Sequence, residues 1–199
     1  MRLFKFLILG LVAMMLAGCG INNVPTYQQA MNGKWAEVQN QYQRRADLVP
    51  NLVETVKGYA AQEKDVLTAV VEARAKATSI QLSPDIINNP EEFQKYQAAQ
   101  GQLSQALGKL LSITEAYPDL KSNQNFLALQ SQLEGTENRI AVARKDYIEA
   151  VQVYNTELVT IPGRWWAALL YPTAKPAANF DATPGSATPP KVDFNKPKA

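Results

Sequence analysis

The stretch QYQRRADLVPNLVETVKGY (Gln41–Tyr59) decides the fold, because it lies inside a longer run with helical periodicity. From residue 35 to residue 77, apolar residues recur at alternating steps of three and four. A period of about 3.5 residues is typical of a helix that faces a bundle core. Two charged residues, Arg45 and Glu63, fall on this apolar stripe, so the sequence places charge where burial is expected.

The proline in this stretch conflicts with an uninterrupted helix. Pro50 has no N–H to donate to the carbonyl of Ala46, and its ring crowds that turn, so we expect the helix to kink or restart there. Asp47 stands three residues earlier, where it can cap a restarted helix. We interpret the stretch as a joint, held by Arg44 or Arg45 to glutamates of the third helical stretch.

Two further helical stretches follow. Asn89 is placed as the N-cap of the second stretch and Pro90 as its first helical residue. The third stretch covers Phe126–Leu158, and its stripe includes Glu137 and Arg144. No β-alternation of useful length is present. The sequence therefore predicts an all-α fold, an antiparallel up-and-down bundle of three long helices, or of four if the first divides at its proline.

Composition excludes several classes of function. The 199 residues suit one domain, and the chain contains no histidine and one cysteine. The usual general base, the usual di-metal ligands and the Ser-His or Cys-His nucleophile pairs are therefore absent. We expect no enzyme, no catalytic residue, no metal and no cofactor. Beyond residue 18 the chain has 18 basic and 18 acidic residues, so no nucleic-acid partner is expected.

The N-terminus has the pattern of a processed export signal. Two positive charges precede about a dozen apolar residues, too few for a transmembrane helix, which needs ~20. The following LAGC, residues 16–19, resembles the bacterial lipobox, which implies cleavage between Gly18 and Cys19 and acylation of Cys19. An uncleaved signal anchor is the alternative. Residue 20 is glycine rather than aspartate, which, by resemblance to the sorting pattern of Gram-negative lipoproteins, implies outer-membrane delivery if the host is Gram-negative.

These patterns divide the chain into four parts. We predict a cleaved lipoprotein signal peptide over residues 1–18, a lipidated tether over 19–30, a helical bundle domain over 31–171 and a disordered proline-rich tail over 172–199. The apolar segment Ile161–Tyr171 carries two tryptophans. It is either a membrane-interface belt or a cap on the bundle end. A three-helix bundle favours the cap, because its last helix ends far from the membrane, whereas an even number of helices would favour the belt.

Two long segments carry a family resemblance. YQRRADLVPNLVETVKGYA (Tyr42–Ala60) and LQSQLEGTENRIAVARKDYIEAVQVYN (Leu129–Asn155) are similar to the two most characteristic stretches of the LemA family. YPDLKSNQNFLALQ (Tyr117–Gln130) also fits the family. The resemblance implies a helical bundle on a membrane anchor and implies no reaction. Many family members look anchored by an N-terminal transmembrane helix, and the lipobox departs from that pattern.

The charged residues on the stripes are the candidate functional residues. Arg45 is expected to meet Glu137 or Glu134 inside the bundle, and Arg144 to meet Glu63, because an unpaired buried charge costs several kcal/mol. They form either register-setting ion pairs or a binding groove. The positions singled out are Arg44, Arg45, Asp47, Pro50, Asn51, Glu63, Glu134, Glu137, Asn138, Arg139, Arg144, Tyr147 and Asn155.

The sequence therefore predicts a lipid-anchored, periplasm-facing, non-catalytic interaction or scaffold protein. Its expected partners are the membrane, through acylated Cys19, and other envelope proteins. One alternative is an envelope enzyme or an accessory subunit of one, such as a protease helper. Another is a cell-wall tether that uses the tail, in which four lysines stand against two aspartates.

Overall fold

The computed structural model describes residues 20–80 and 86–181 and contains helices, turns and irregular segments, but no strand, in those ranges. The predicted signal peptide, the predicted lipidation site Cys19 and residues 182–199 lie outside the described residues. Six α-helices and one short 3-10 turn are present in the described ranges, and the predicted all-α class is confirmed. The helices are α1 (Asn23–Lys57), α2 (Lys64–Ser79), α3 (Pro90–Thr114), α4 (Pro118–Lys121), α5 (Gln124–Val159) and α6 (Gly163–Leu170), with the 3-10 turn at Ile86–Asn88.

The four longer helices form an antiparallel bundle of two pairs. Helix α1 packs along α5, α2 packs along α3, and α1 also contacts α2. The beginning of α1 shares one hydrophobic cluster with the end of α5, and the end of α1 shares another with the beginning of α5. The chain therefore runs up, down, up and down, and its main helices number four rather than three.

The sequence predicted that a fourth helix could arise by a break at Pro50, but the break does not occur there. Helix α1 continues through Pro50 to Lys57, and the chain breaks between Gly58 and Glu63 instead. The break begins at Gly58, a residue type of low helix propensity. Ala60, which is fully buried, packs the break against the core. Asp47 caps no restarted helix, because its carboxylate accepts from Gln43 Nε2 at 2.7 Å within α1.

The helix survives its proline because a neighbouring helix supplies the missing donor. Pro50 leaves the carbonyl of Ala46 without an intrahelical partner. Arg74 of α2 donates from Nε to that carbonyl oxygen at 2.8 Å. The compensating group comes from tertiary packing, so the predicted restart of the helix at Pro50 is wrong. The other part of the predicted joint, a link from Arg45 to a glutamate of the third helical stretch, is present as the pair with Glu137.

Other local signals in the sequence give the expected structure. The side chain of Asn89 accepts from the backbone N–H groups of Glu91 and Glu92, and Pro90 is the first residue of α3. Asn123 caps α5 by accepting from the N–H of Phe126 at 3.0 Å.

Two terminal predictions need correction. Helix α1 begins at Asn23, so residues 23–30 form its first turns rather than a tether, and Val24 is buried. Residues 172–181, predicted as part of a disordered tail, fold back onto the bundle, and their Ala177 and Phe180 are buried.

Two hydrophobic cores divide the bundle along its length. We call them the aromatic core and the aliphatic core. The buried rings of the aromatic core belong to Trp35, Tyr42, Phe93, Tyr96, Tyr147, Tyr154 and Phe180. Leucine, valine and alanine dominate the aliphatic core, in which Phe126 is the single fully buried ring among the described residues.

Candidate functional site: a buried arginine beneath an open groove

Arg45 lies at the level where the two cores meet. It follows Tyr42 of the aromatic core by one turn and precedes Val49 of the aliphatic core by one turn. Its side chain is 1% exposed, although it carries a full positive charge. Such a charge costs several kcal/mol to bury unless hydrogen bonds and a counter-charge compensate for it.

Four hydrogen bonds to the other helices compensate this charge. Nη1 donates to Ser104 Oγ at 2.6 Å and to Glu137 Oε1 at 3.0 Å. Nη2 donates to the Gln100 side-chain oxygen at 2.6 Å and to the Gln100 backbone oxygen at 3.2 Å. Gln100 in turn donates from Nε2 to the Ala77 carbonyl of α2 at 3.3 Å. We call Arg45, Gln100, Ser104 and Glu137 the polar layer, and it links all four long helices.

The ion pair in this layer is asymmetric. The side chain of Glu137 is 41% exposed, whereas that of Arg45 is 1% exposed. Water therefore screens the carboxylate, and the pair is worth less than a fully buried one. The guanidinium also stacks over the ring of Tyr42, with 5.1 Å from Cζ to the ring centroid.

Above the polar layer, an open groove of about 530 Å³ lies between α3 and α5. Its floor contains Arg45, and its α5 wall contains Glu137 and Arg144. Because the strong helix pairings are α1 with α5 and α2 with α3, α3 and α5 stay far enough apart to leave this space. The α3 wall consists of small residues and amides: Gln94, Gln97, Ala98, Gly101, Gln102 and Gln105.

The structure brings some of the predicted residues together and separates others. Arg45 meets Glu137 rather than Glu134, which is exposed and accepts from Gln130 on its own helix. Arg144 does not meet Glu63; its guanidinium lies 4.2 Å from the ring centroid of Phe180. Glu63 accepts instead from the Tyr117 hydroxyl at 2.7 Å.

The remaining motif residues on α1 and α5 face solvent. Arg44, Asn51 and Asn138 are exposed. Arg139 is also exposed and donates to Gln41 of α1 at 3.2 Å. These four residues lie outside the polar layer and outside the lining of the groove.

Tyr147 and Asn155 have a role that sequence reasoning missed. The amide of Asn155 donates to the Ala177 carbonyl at 3.0 Å and accepts from the Ala177 N–H at 2.9 Å. The hydroxyl of Tyr147 donates to the Ala178 carbonyl at 2.8 Å. Both residues therefore hold the 172–181 segment against the bundle, where Phe180 completes the aromatic core.

Electrostatics around the site favour neutral tyrosines. Burial raises the pKa of Tyr42, and burial also raises the pKa of Tyr96 well above its ordinary value. In the ranges 20–80 and 86–181, no three His, Cys, Asp or Glu side chains cluster in a way that holds a metal. None of the helices in those ranges combines the length and the apolar character needed to cross a bilayer.

Comparison with known proteins places the chain in a family. The family model described as "LemA family" matches residues 34–194. Magnetosome proteins MamQ 1 and MamQ 2 of Paramagnetospirillum magneticum are each 26% identical over 185 residues, covering 84% of this chain and 67% of theirs. Magnetosome protein MamQ of Magnetospirillum gryphiswaldense is 24% identical over 182 residues, covering 83% and 66%. Since the family model spans most of the sequence, including both long motifs and the groove between them, the chain belongs to the LemA family.

Proposed function

We propose that this protein is a lipid-anchored, non-catalytic interaction protein of the bacterial envelope, and that it binds a polypeptide segment of a partner in the groove between α3 and α5. The observation that carries the proposal is the contrast between the floor and the wall of the groove. The floor charge of Arg45 is already bonded within the protein, whereas the α3 wall presents amide groups to solvent.

The chemistry of the wall suits a peptide. A glutamine amide both donates and accepts, as a peptide group does, so exposed glutamines can bond to main-chain groups of any sequence. Ala98 and Gly101 between them leave room for a backbone to approach. A groove built for a small anion would direct its cations into the open space, whereas Arg45 already bonds Glu137 and Gln100. Arg144 stacks on the ring of Phe180, and the carboxylate of Asp181 also lines the groove, which disfavours a small anion.

Attachment to the membrane is the second part of the proposal. The lipobox residues Leu16–Cys19 end one residue before the described fold, and α1 begins at Asn23. A short connection of this kind keeps the bundle close to the bilayer surface. The MamQ relatives are named as magnetosome proteins, which assigns them to a cellular structure and to no reaction. Gly20 favours outer-membrane delivery in a Gram-negative host.

The groove is tested by filling it. Gly101 lines the groove, and a Cβ at this position meets no atom within 4 Å. We therefore expect Gly101→Trp to project its ring into the groove without displacing the backbone. Gly108 lies on the same helix with equally open surroundings but outside the groove lining, and Gly108→Trp is the matched control.

The readout is site-specific photocross-linking in living cells, with the photoreactive residue at Gln105. We expect a discrete adduct that persists in Gly108→Trp and disappears in Gly101→Trp. The same adduct formed from Val142, on the outer face of α5, or retained in Gly101→Trp, would rule out the groove as the binding site.

The anchor is tested independently. We expect Cys19→Ser to abolish labelling by a palmitate analogue and to release the protein from the membrane fraction. Unchanged labelling would remove the lipoprotein part of the proposal without affecting the groove.

A further inference from the structure

Exposed apolar side chains concentrate in and just before α6. Trp165 is 61% exposed and Leu169 is 72% exposed, and Ile161 in the preceding turn is equally open. Among the described residues, five of the ten large apolar side chains that are exposed fall between residues 159 and 170. The other five lie singly along the bundle, as is normal for a soluble surface.

The two most exposed of these side chains within α6 share one face of this short amphipathic helix. Trp165 and Leu169 are four residues apart and therefore lie one above the other. Trp166 and Ala167 point the other way and are partly buried against the end of the bundle. Helix α6 contacts both α5 and α1, so it is a fixed part of the fold with one face left free.

The turn that leads into α6 is tightly built. A Cβ at Gly163 would overlap the backbone carbonyl and the side chain of Glu157, so glycine is required there. The same Glu157 accepts a hydrogen bond from Asn23 Nδ2 at 3.1 Å, which ties the turn to the first residue of α1.

The free face of α6 lies beside the point where the chain leaves toward its anchor. Because the bundle has four long helices, α5 returns to the end at which α1 began. A Cβ built on Gly20 would be 3.7 Å from the ring of Pro162, in the turn before α6. Cys19 is the next residue, and consecutive Cα atoms are about 3.8 Å apart. Acyl chains on Cys19 would therefore leave the protein next to α6.

We propose that α6 is a membrane-interface helix, which inserts Ile161, Trp165 and Leu169 into the headgroup region of the bilayer that holds Cys19. This inference rests on the proposed anchor. Tryptophan prefers the boundary between water and hydrocarbon, and the exposed Arg164 places a guanidinium at the level of the lipid phosphates. An anchor alone leaves the domain free to tumble, whereas an anchor with α6 fixes its orientation.

The fixed orientation has a consequence for the groove. The aromatic core then lies near the membrane, and the aliphatic core points away from it. Helix α1 has 35 residues and spans about 50 Å, so the polar layer and the groove stand partway along that length. A partner bound in the groove would therefore lie at a defined distance from the bilayer surface.

The test compares cysteines placed at two sites that the structure shows as similarly exposed. Leu169→Cys and Val142→Cys, at 72% and 61% exposure, are made in the full-length chain and labelled with a membrane-impermeant maleimide in isolated envelope fragments. In Leu169→Cys the side chains of Ile161 and Trp165 remain, and burying even one large apolar side chain favours the docked state by roughly tenfold or more. We therefore expect Leu169→Cys to react about tenfold more slowly than Val142→Cys, with both labelled fully after denaturation in detergent.

Equal labelling rates at the two sites would overturn the inference. The wild-type protein after denaturation reports separately on the anchor, because acylated Cys19 has no free thiol. Labelling of Cys19 would show that the anchor proposal fails.

A second experiment uses vesicles of brominated phosphatidylcholine and phosphatidylglycerol. Quenching of tryptophan emission is expected in the wild type and is largely lost in Trp165→Phe; quenching that is absent, or unchanged in Trp165→Phe, contradicts insertion of α6.

Discussion

The aromatic core and the aliphatic core occupy opposite ends of the bundle but are closed by different means. The aliphatic core is closed by helix α4 and by the turn around Ala60, with apolar contacts predominating. The aromatic core is closed by two irregular pieces, the 3-10 turn at Ile86–Asn88 and the segment 172–181. Irregular backbone cannot satisfy its own hydrogen bonds, so Tyr147 and Asn155 provide partners for it.

The polar layer separates these two cores, and different interactions stabilise each of them. The aliphatic core depends on side-chain packing, which tolerates changes of shape but not of volume. The aromatic core also depends on a few hydrogen bonds to the irregular backbone of residues 172–181, and all of these are lost if that segment detaches. Four perturbations, from the largest expected effect to the smallest, test this division.

The largest effect is expected where the two cores meet. Arg45→Ala removes the guanidinium and leaves Gln100 and Ser104 without their buried partner. Breaking a buried ion pair costs about 3–5 kcal/mol, and the half-exposed Glu137 places this pair near 3. The measurement is the free energy of unfolding by urea. Arg44→Ala, at the exposed neighbour, is the control and should change stability by less than about 0.5 kcal/mol.

A loss below about 1 kcal/mol in Arg45→Ala would contradict the assignment of Arg45 as a structural link between the cores. The replacement Arg45→Met separates volume from charge. It fills much of the same space, so a smaller loss than in Arg45→Ala shows how much of the effect is packing.

Alkaline pH should act mainly on the aromatic core, where most of the buried tyrosines lie. Burial raises the pKa of Tyr96 and Tyr147 well above their ordinary value of 10. The unfolded chain therefore loses these protons first, so their stabilising contribution is complete below about pH 10 and is lost as pH rises above it. Each group contributes up to about 1.4 kcal/mol per pH unit, so two groups remove about 3 kcal/mol by about pH 11.

Tyrosinate absorbance and the free energy of unfolding, followed across that pH range, check this expectation. Tyr96→Phe and Tyr147→Phe should each flatten the alkaline loss. If stability fell equally steeply in both variants, ionisation elsewhere would be responsible. Tyr59, which is exposed near the aliphatic end, is the control position, and Tyr59→Phe should leave the pH profile unchanged.

The two cores also differ in how far the sequence predicts them. Apolar stripes place most residues of both, because a buried helix face repeats every three to four positions. Gln100 interrupts the stripe of α3, and this polar residue on a buried face was the available signal for the polar layer. The partners of Tyr147 and Asn155 were not predictable, because residues 172–181 have no periodicity and a proline-rich composition that is typical of disorder.

The next prediction concerns the segment that closes the aromatic core. Asn155→Ala removes two hydrogen bonds to the backbone of Ala177 and is expected to cost about 2 kcal/mol. Limited proteolysis by chymotrypsin after Phe180 should accelerate, because this ring is buried while the segment is docked and becomes accessible when the segment is released. Asn138→Ala, at an exposed asparagine on the same helix, is the control, and faster cleavage there as well would mean that α5 rather than the segment is affected.

The smallest effect tests the aliphatic side of the layer, where the predicted break at Pro50 did not occur. Arg74 donates to the Ala46 carbonyl that Pro50 leaves free, so Arg74→Ala should cost about 1 kcal/mol. In a Pro50→Ala background, residue 50 has an N–H that donates to Ala46, and the same Arg74→Ala change should cost only a few tenths. A double-mutant cycle in urea should therefore give a coupling of about 1 kcal/mol, with Lys76→Ala as an exposed control on α2. Equal costs in both backgrounds would mean that the helix tolerates Pro50 without help from α2. A positive coupling means that α1 stays continuous at Pro50 because α2 packs against it. The sequence of residues 41–59 alone therefore could not predict this continuity.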